Sequence, residues 1–253
     1  MKTIRHILPA EDVSLYTFSD EHIGDPNSSL DDIRARIESV KDNDEAYAVL
    51  CGDLIDNATI NSIGDTYGAK KTPMEQLELV CSMFEPIKDK ILCITGGNHE
   101  ERTKKEDGID LTKLIAAQLG IGEVFSSESV LMFLRFGEAD KGRRRCYTVF
   151  CNHGTGGGRK VGGKANRLAD MANIVDADVY IHAHTHTPMV FRQSYYRTNY
   201  GNSSVKLVDK LFVNTASNLK YGGYGDAKEY TPSSRKTPVI WMCGRERIVR
   251  ATL

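Results

Sequence analysis

Three of the chain's seven histidines stand at alternate positions in "VYIHAHTHTP": His182, His184 and His186. On a regular strand every second side chain points to one face, so three imidazoles would line one side of a ribbon. Neutral imidazole is the commonest protein metal ligand near neutral pH. A polar strand end near the surface explains the stretch equally well, so other segments must decide. Four of them carry related chemistry: "SDEH" with Asp20 and His22, "GDLID" with Asp53 and Asp56, "GGNHEER" with Asn98, His99 and Glu100, and "NHG" with His153. Imidazole and carboxylate donors together suit Mn, Fe, Zn, Co or Ni better than Ca, which prefers an all-oxygen shell.

Each segment follows a short apolar run that reads as a strand: "VSLYTFS", "AYAVLCG", "KILCIT", "RCYTVFC" and "DVYIHA". In open α/β sheets ligands bind beyond the carboxyl ends of the strands. Taken singly, each polar residue there is ordinary turn chemistry. Five coincidences in the same context make the weaker reading.

Helical patterns separate these strands. Ile33, Ile37 and Val40 mark one face, with Ser28 or Ser29 as cap. "TPME" opens a helix with Thr72 as N-cap, Pro73 at the first position and Glu75 closing a capping box. Its buried face is Leu77, Val80, Cys81 and Phe84. A third helix carries Leu111, Leu114, Ile115 and Leu119, and a fourth Leu168, Met171, Ala172 and Val175. Two hairpins follow, one turning at "TNYGNS" and one at Gly244. The pattern predicts an α/β protein with a β-rich last third and a sheet covered on both faces.

With 253 residues, 40% of them hydrophobic, the chain can bury a sizeable core. No linker or repeat divides it, so residues 1–253 are expected to form a single domain. The net charge of -1 gives no global field for nucleic acid or membrane surfaces, so affinity for an anion must be local. No apolar run approaches the ~20 residues of a membrane span, and no segment resembles a signal peptide. The six cysteines form no CxxC pair and mostly sit in apolar runs. Buried free thiols in a cytoplasmic protein are expected.

In their order, the five segments resemble the DxH, GDxxD, GNH(E/D), single-His and GHxH motifs of the calcineurin-like metallophosphoesterases. Ala183 stands where that family usually has Gly. The resemblance implies a four-layer α/β/β/α sandwich of two mixed sheets flanked by helices, with a dimetal site at the strand C-terminal ends. It implies Asp20, His22 and His186 on a first metal, Asn98, His153 and His184 on a second, and Asp53 bridging them. It gives His99 the catalytic part, reaching the phosphate, and Asp56 a supporting one. His182 is read as structural or as an outer support to a ligand, without a direct metal role. Two divalent ions are implied, Mn2+ first, with Fe, Zn, Ni or Co as alternatives. The implied reaction is hydrolysis of a phosphate ester by a metal-bound hydroxide. Phosphodiesters are favoured over monoesters, with nucleic acid or a nucleotide among the substrates. Asn57 follows Asp56 where the protein-phosphatase branch has an arginine, which argues against that branch. A non-catalytic scaffold of the same fold is the competing reading, and the intact ligand set disfavours it.

"GRKVGGKA" comes within one residue of a phosphate-binding P-loop, but Ala165 stands where Mg2+ needs Ser or Thr. Arg159 and Lys160, with Lys164 and Arg167 nearby, are candidate substrate contacts. A solvated loop explains them as well.

Overall fold

Runs rich in β-branched and aromatic residues form the strands, as their fit to a pleated, half-buried surface predicts. The computed structural model describes residues 1–62, 68–139 and 142–253. In chain order the elements are β1 (Lys2–Ile7), β2 (Val13–Phe18), α1 (Leu30–Lys41), β3 (Ala46–Cys51), α2 (Pro73–Phe84), β4 (Ile91–Thr95), α3 (Asn98–Asp107) and α4 (Leu111–Gln118). There follow β5 (Phe125–Ser126), β6 (Val130–Ala139), β7 (Arg143–Asn152), α5 (Val161–Asp170), β8 (Val179–His182), β9 (Met189–Asn199) and β10 (Ser204–Asn214). A short α6 (Tyr224–Ala227), β11 (Val239–Met242) and β12 (Val249–Thr252) close the chain.

Two mixed six-stranded sheets result, in the orders β1-β6-β7-β8-β10-β9 and β12-β11-β2-β3-β4-β5. Strands β2, β3, β4 and β5 run parallel, as do β7, β8 and β10; the two expected hairpins, β9–β10 and β11–β12, pair antiparallel. One large apolar core lies between the sheets and under α1, α2 and α4. A second cluster, Leu131, Phe150, Leu168, Tyr180 and Phe212, covers the other face of the first sheet beneath α5. Alternation in β8 divides the work: Val179 and Ile181 join the central core while Tyr180 joins the outer one.

The expected helix faces hold with two corrections. The Thr72 capping box forms with Glu75, and Leu77, Val80, Cys81 and Phe84 are buried. Leu114, expected on a buried face, is 45% exposed, because α4 packs through Leu111, Ile115 and Ala116 instead. Leu168, Met171, Ala172 and Val175 share one cluster but not one helix, since α5 ends at Asp170 and a tighter turn spans Met171–Asn173. Strands β1 and β6 went unread in the sequence. They build one edge of the first sheet.

A further correction concerns the expectation that one sheet carries the five strand ends. The five motif-bearing strands do not share one sheet: β2, β3 and β4 belong to one and β7 and β8 to the other. The sheets meet closely at this end, where Cys51 Sγ lies 3.1 Å from Cys151 Sγ. All six cysteines are free, and Cys51, Cys81, Cys93 and Cys151 are buried.

Candidate metal centre

The loops that leave β2, β3 and β8 turn through left-handed backbone. Asp20, His22, Asp53, His184 and His186 all have positive φ, between 46° and 64°. Left-handed conformation costs a residue with a Cβ about 1–2 kcal/mol, and such strain concentrates at functional sites. The alternate histidines therefore do not line a ribbon. β8 stops at His182, and the chain beyond it curls so that His184 and His186 face different neighbours. Ala183 keeps ordinary φ, so its methyl adds no backbone strain.

Two groups of donors form. Asp20, His22 and His186 converge in one, and Asp53, His153 and His184 in the other; within each, the candidate ligand atoms lie within 4.8 Å of one another. Asp53 also groups with His22 and His99, so its carboxylate stands between the two sets. Asn98 joins the second group, its Oδ1 lying 2.6 Å from His184 Nδ1 and 3.0 Å from His153 Nε2. All seven sequence-derived donors are thus brought together.

Their contacts suit a metal better than they suit each other. His22 Nε2 and His186 Nε2 face one another at 3.3 Å. Asp20 Oδ1 lies 3.1 Å from His186 Nε2 without hydrogen-bond geometry, and both Asp20 Oδ1 and His22 Nδ1 are buried without a hydrogen-bond partner. A buried polar atom left unpaired costs about 1–3 kcal/mol. A divalent ion among these atoms would satisfy them, and the mixed imidazole, carboxylate and amide set fits a transition metal. His153 Nδ1 sits 2.7 Å from the carbonyl of Cys51, an arrangement that directs Nε2 at the centre.

The electrostatics follow from burial and crowding. Burial, with His99 and His186 nearby, lowers His22 to about 3. Burial and His153 lower His184 to about 4. Both imidazoles are therefore neutral, as ligands must be. Burial opposes the charge on Asp53, yet His153 and His99 hold its carboxyl well below the usual range. Asp20 behaves alike, falling to about 2 beside His186. Burial also opposes a charge on His153, but Asp53 raises it well above the usual histidine value.

His99 opens α3 next to Asn98. Its Nδ1 lies 2.6 Å from the Asp56 carbonyl, and its Nε2 receives a hydrogen bond from Arg102 Nη2 at 2.8 Å. A guanidinium can only donate, so the ring in this arrangement is neutral with its proton on Nδ1. Burial disfavours the imidazolium, but Asp53 and Asp56 favour it and raise the pKa overall. Protonating Nε2 therefore requires Arg102 to release it. Asp56 Oδ1 stands 3.3 Å from His99 Nδ1. His182 is buried and bonded through Nδ1 to Asn214 Oδ1 at 2.9 Å, which fits its structural reading.

Some supports escaped the sequence. Glu100, buried, accepts the backbone N–H groups of Asp53, Leu54 and Ile55 at 3.0, 2.7 and 3.2 Å. Arg102 bonds His99 and the carbonyls of Asp56 and Asn57. Its signal was present in the spacing, because positions three and four apart share a helix face. Of the basic loop, Lys164 fastens Thr185 O and Thr187 Oγ1 at 2.8 and 2.6 Å, bracing the turn that carries His186. Arg159 and Lys160 are exposed, Arg159 lying over the Tyr230 ring at 5.2 Å. A cavity of about 160 Å3 opens beside Asn98 and His153, lined also by Glu101, Ser127, Asn152 and Thr155.

Facing mixed sheets with a histidine–aspartate centre between their strand ends define a two-sheet α/β protein with a candidate metal site. The sequence pattern of the calcineurin-like phosphoesterases matches residues 21–188, more than half of the chain, and the chain belongs to that family. No curated protein matches the sequence. Among solved structures, a conserved protein of Streptococcus pneumoniae TIGR4 titled a predicted phosphoesterase is 12% identical, with 95% of this chain and 97% of that one covered and a TM-score of 0.37. A single mutant of Vps29 from Entamoeba histolytica is also 12% identical, with the same coverage and a TM-score of 0.40.

Proposed function

We propose that this protein hydrolyses phosphate esters, phosphodiesters ahead of monoesters, with two divalent cations held by the donor groups described above. Asp20, His22 and His186 would hold one ion, Asn98, His153 and His184 the other, and Asp53 both. Mn2+ is the first candidate, because the donor set mixes oxygen and imidazole nitrogen. Nucleic acid or a nucleotide is the candidate substrate class. The observation that carries the reading is the place of Asp53, which groups with His153 and His184 on one side and with His22 of the other donor set on the other. Ions bound there supply Lewis acidity to a phosphoryl group and lower the pKa of water.

The protein's own groups orient the reaction. His99, positioned by the Asp56 carbonyl, presents Nε2 on the side of Asp53, 3.9 Å from Oδ2. There it assists the reacting oxygens, a contribution of about 10²–10⁴-fold for acid–base help. The cavity beside Asn98 and His153 accommodates one arm of a diester. Arg159 and Lys160 would meet substrate only beyond this immediate centre.

The test is hydrolysis of bis-p-nitrophenyl phosphate and p-nitrophenyl phosphate by chelator-stripped protein with Mn2+ added back. Expected is Mn2+-dependent cleavage, faster on the diester, and lost in His99→Ala and Asp53→Asn. Monoester preference would move the substrate class to phosphomonoesters. No turnover of either ester and no metal uptake would return the protein to the scaffold reading.

A further inference from the structure

Arg102 is a half-buried cation whose three hydrogen-bond acceptors are all neutral. Nη1 donates to the carbonyls of Asp56 and Asn57 at 3.0 and 3.3 Å, and Nη2 to His99 Nε2 at 2.8 Å. Among the described residues no carboxylate lies within ion-pair distance of it. Other arginines tied into the fold are treated differently: Arg36 pairs with the buried Glu21, Arg197 with Asp176 and Arg247 with Asp178. Burial lowers the pKa of Arg102, and the negative charges that support its cation act at longer range, Asp53 first.

Asp53, the first of those charges, is one the donor groups would commit to metal ions, while Asp56, Glu100 and Glu106 are not donors. With divalent cations on Asp53, the first-ranked part of the field that compensates Arg102 is spent elsewhere. The guanidinium then keeps only the longer-range charges of Asp56, Glu100 and Glu106 and, among the described residues, has no carboxylate in contact with it. An anionic oxygen in the centre is the natural counterpart, because guanidinium forms its strongest hydrogen bonds with phosphate and carboxylate.

Resting on the metal-site reading above, we infer that Arg102 is an anion-binding residue, whose Nη2 moves from His99 Nε2 to a phosphoryl oxygen of the substrate or of product phosphate. Nη1 keeps its carbonyl bonds and holds the guanidinium in place. The exchange also frees His99 Nε2, so one movement binds the substrate and releases the imidazole beside it. No covalent change is involved. Asn57 contributes its carbonyl to this hold, and the cation reaches the loop from α3.

The experiment is binding of inorganic phosphate to Mn2+-loaded protein by calorimetry, together with its competitive inhibition of ester cleavage. Arg102→Gln is expected to weaken phosphate by about 10- to 100-fold, the loss of one charged hydrogen bond expressed as affinity. Arg102→Lys, which keeps the charge but not the fork, should recover part of that loss. Both variants should still take up two equivalents of Mn2+, a readout that separates anion binding from a merely structural role. Unchanged phosphate affinity in Arg102→Gln overturns the inference, as does failure of the metal-loaded wild type to bind phosphate. If Arg102→Gln loses metal, Arg102→Lys decides, and unchanged affinity there overturns it. Arg102-dependent phosphate binding without turnover of any ester supports the anion site and removes the phosphoesterase reading.

Discussion

Glu100 Oε2 lies 3.0 Å from the backbone nitrogen of Asp53, while Glu100 Oε1 takes the next two backbone N–H groups at 2.7 and 3.2 Å. The residue two places after Asn98 thereby holds the loop that presents Asp53, whose carboxylate stands between the two donor sets. The arrangement joins the end of β4 to the end of β3 through one buried side chain.

Glu100→Gln leaves a single acceptor oxygen where two served three donors. Unfolding by denaturant should show a loss of about 1–3 kcal/mol, the cost of stranding buried N–H groups. Metal titration should show weakened uptake. Unchanged stability would mean that the loop is held by other contacts.

Gly97→Ala would place a Cβ 2.2 Å from both the backbone nitrogen and Oδ1 of Asp53. The carboxylate must move. Misplacement of a reacting or ligating group by about 1 Å can cost 10²-fold, so Mn2+-dependent ester cleavage should fall by about that factor. Circular dichroism should still report a folded chain. Activity near that of the wild type would show that the loop adapts.

The metal-free protein should be most stable near pH 6.5. His22 and His184 have folded values of about 3 and 4, below the ordinary 6.5. As pH falls from 6.5 towards 4 the unfolded chain takes up these protons and stability is lost. His153 is raised, so its contribution is full below 6.5 and disappears as pH rises through its folded value. Thermal midpoints against pH test both limbs. His184→Asn should flatten the acid limb, and His153→Asn the alkaline one. A monotonic profile would contradict the assignment.

Chelation should lower the thermal midpoint, and Mn2+ should restore it, because an ion that binds only the folded state stabilises it by about 2.7 kcal/mol at a hundredfold excess over Kd. Asn98→Ala, which removes the oxygen shared by His153 and His184, should restore less and retain one equivalent. Two equivalents in that variant would show that Asn98 is dispensable for ion binding.

Much of this was legible beforehand. The strands that end in Asp20, Asp53, Asn98, His153 and His184 announce themselves as apolar runs followed by polar donors, and the Thr72–Glu75 capping box is a local signal with a local cause. Strands β1 and β6 were missed, since a run such as "KTIRHI" alternates too weakly to stand out before its parallel partner is known. Arg102 was missed because a lysine- and arginine-rich helix end reads as solvated. Only the approach of the Asp56–Asn57 loop makes it half-buried.

The sequence by itself determined the donor types, their order along the chain and the strand ends that carry them, because these depend on residue chemistry and local periodicity. Tertiary structure decided which donors meet. Two sheets, not one, bring β2, β3 and β4 against β7 and β8, and left-handed turns at Asp20, His22, Asp53, His184 and His186 aim the side chains inward. That strain persists only where surrounding contacts over-determine it. Such contacts, from Glu100 to the loop of Asp53 and from Lys164 to the loop of His186, join residues far apart in the chain, and no local pattern encodes them.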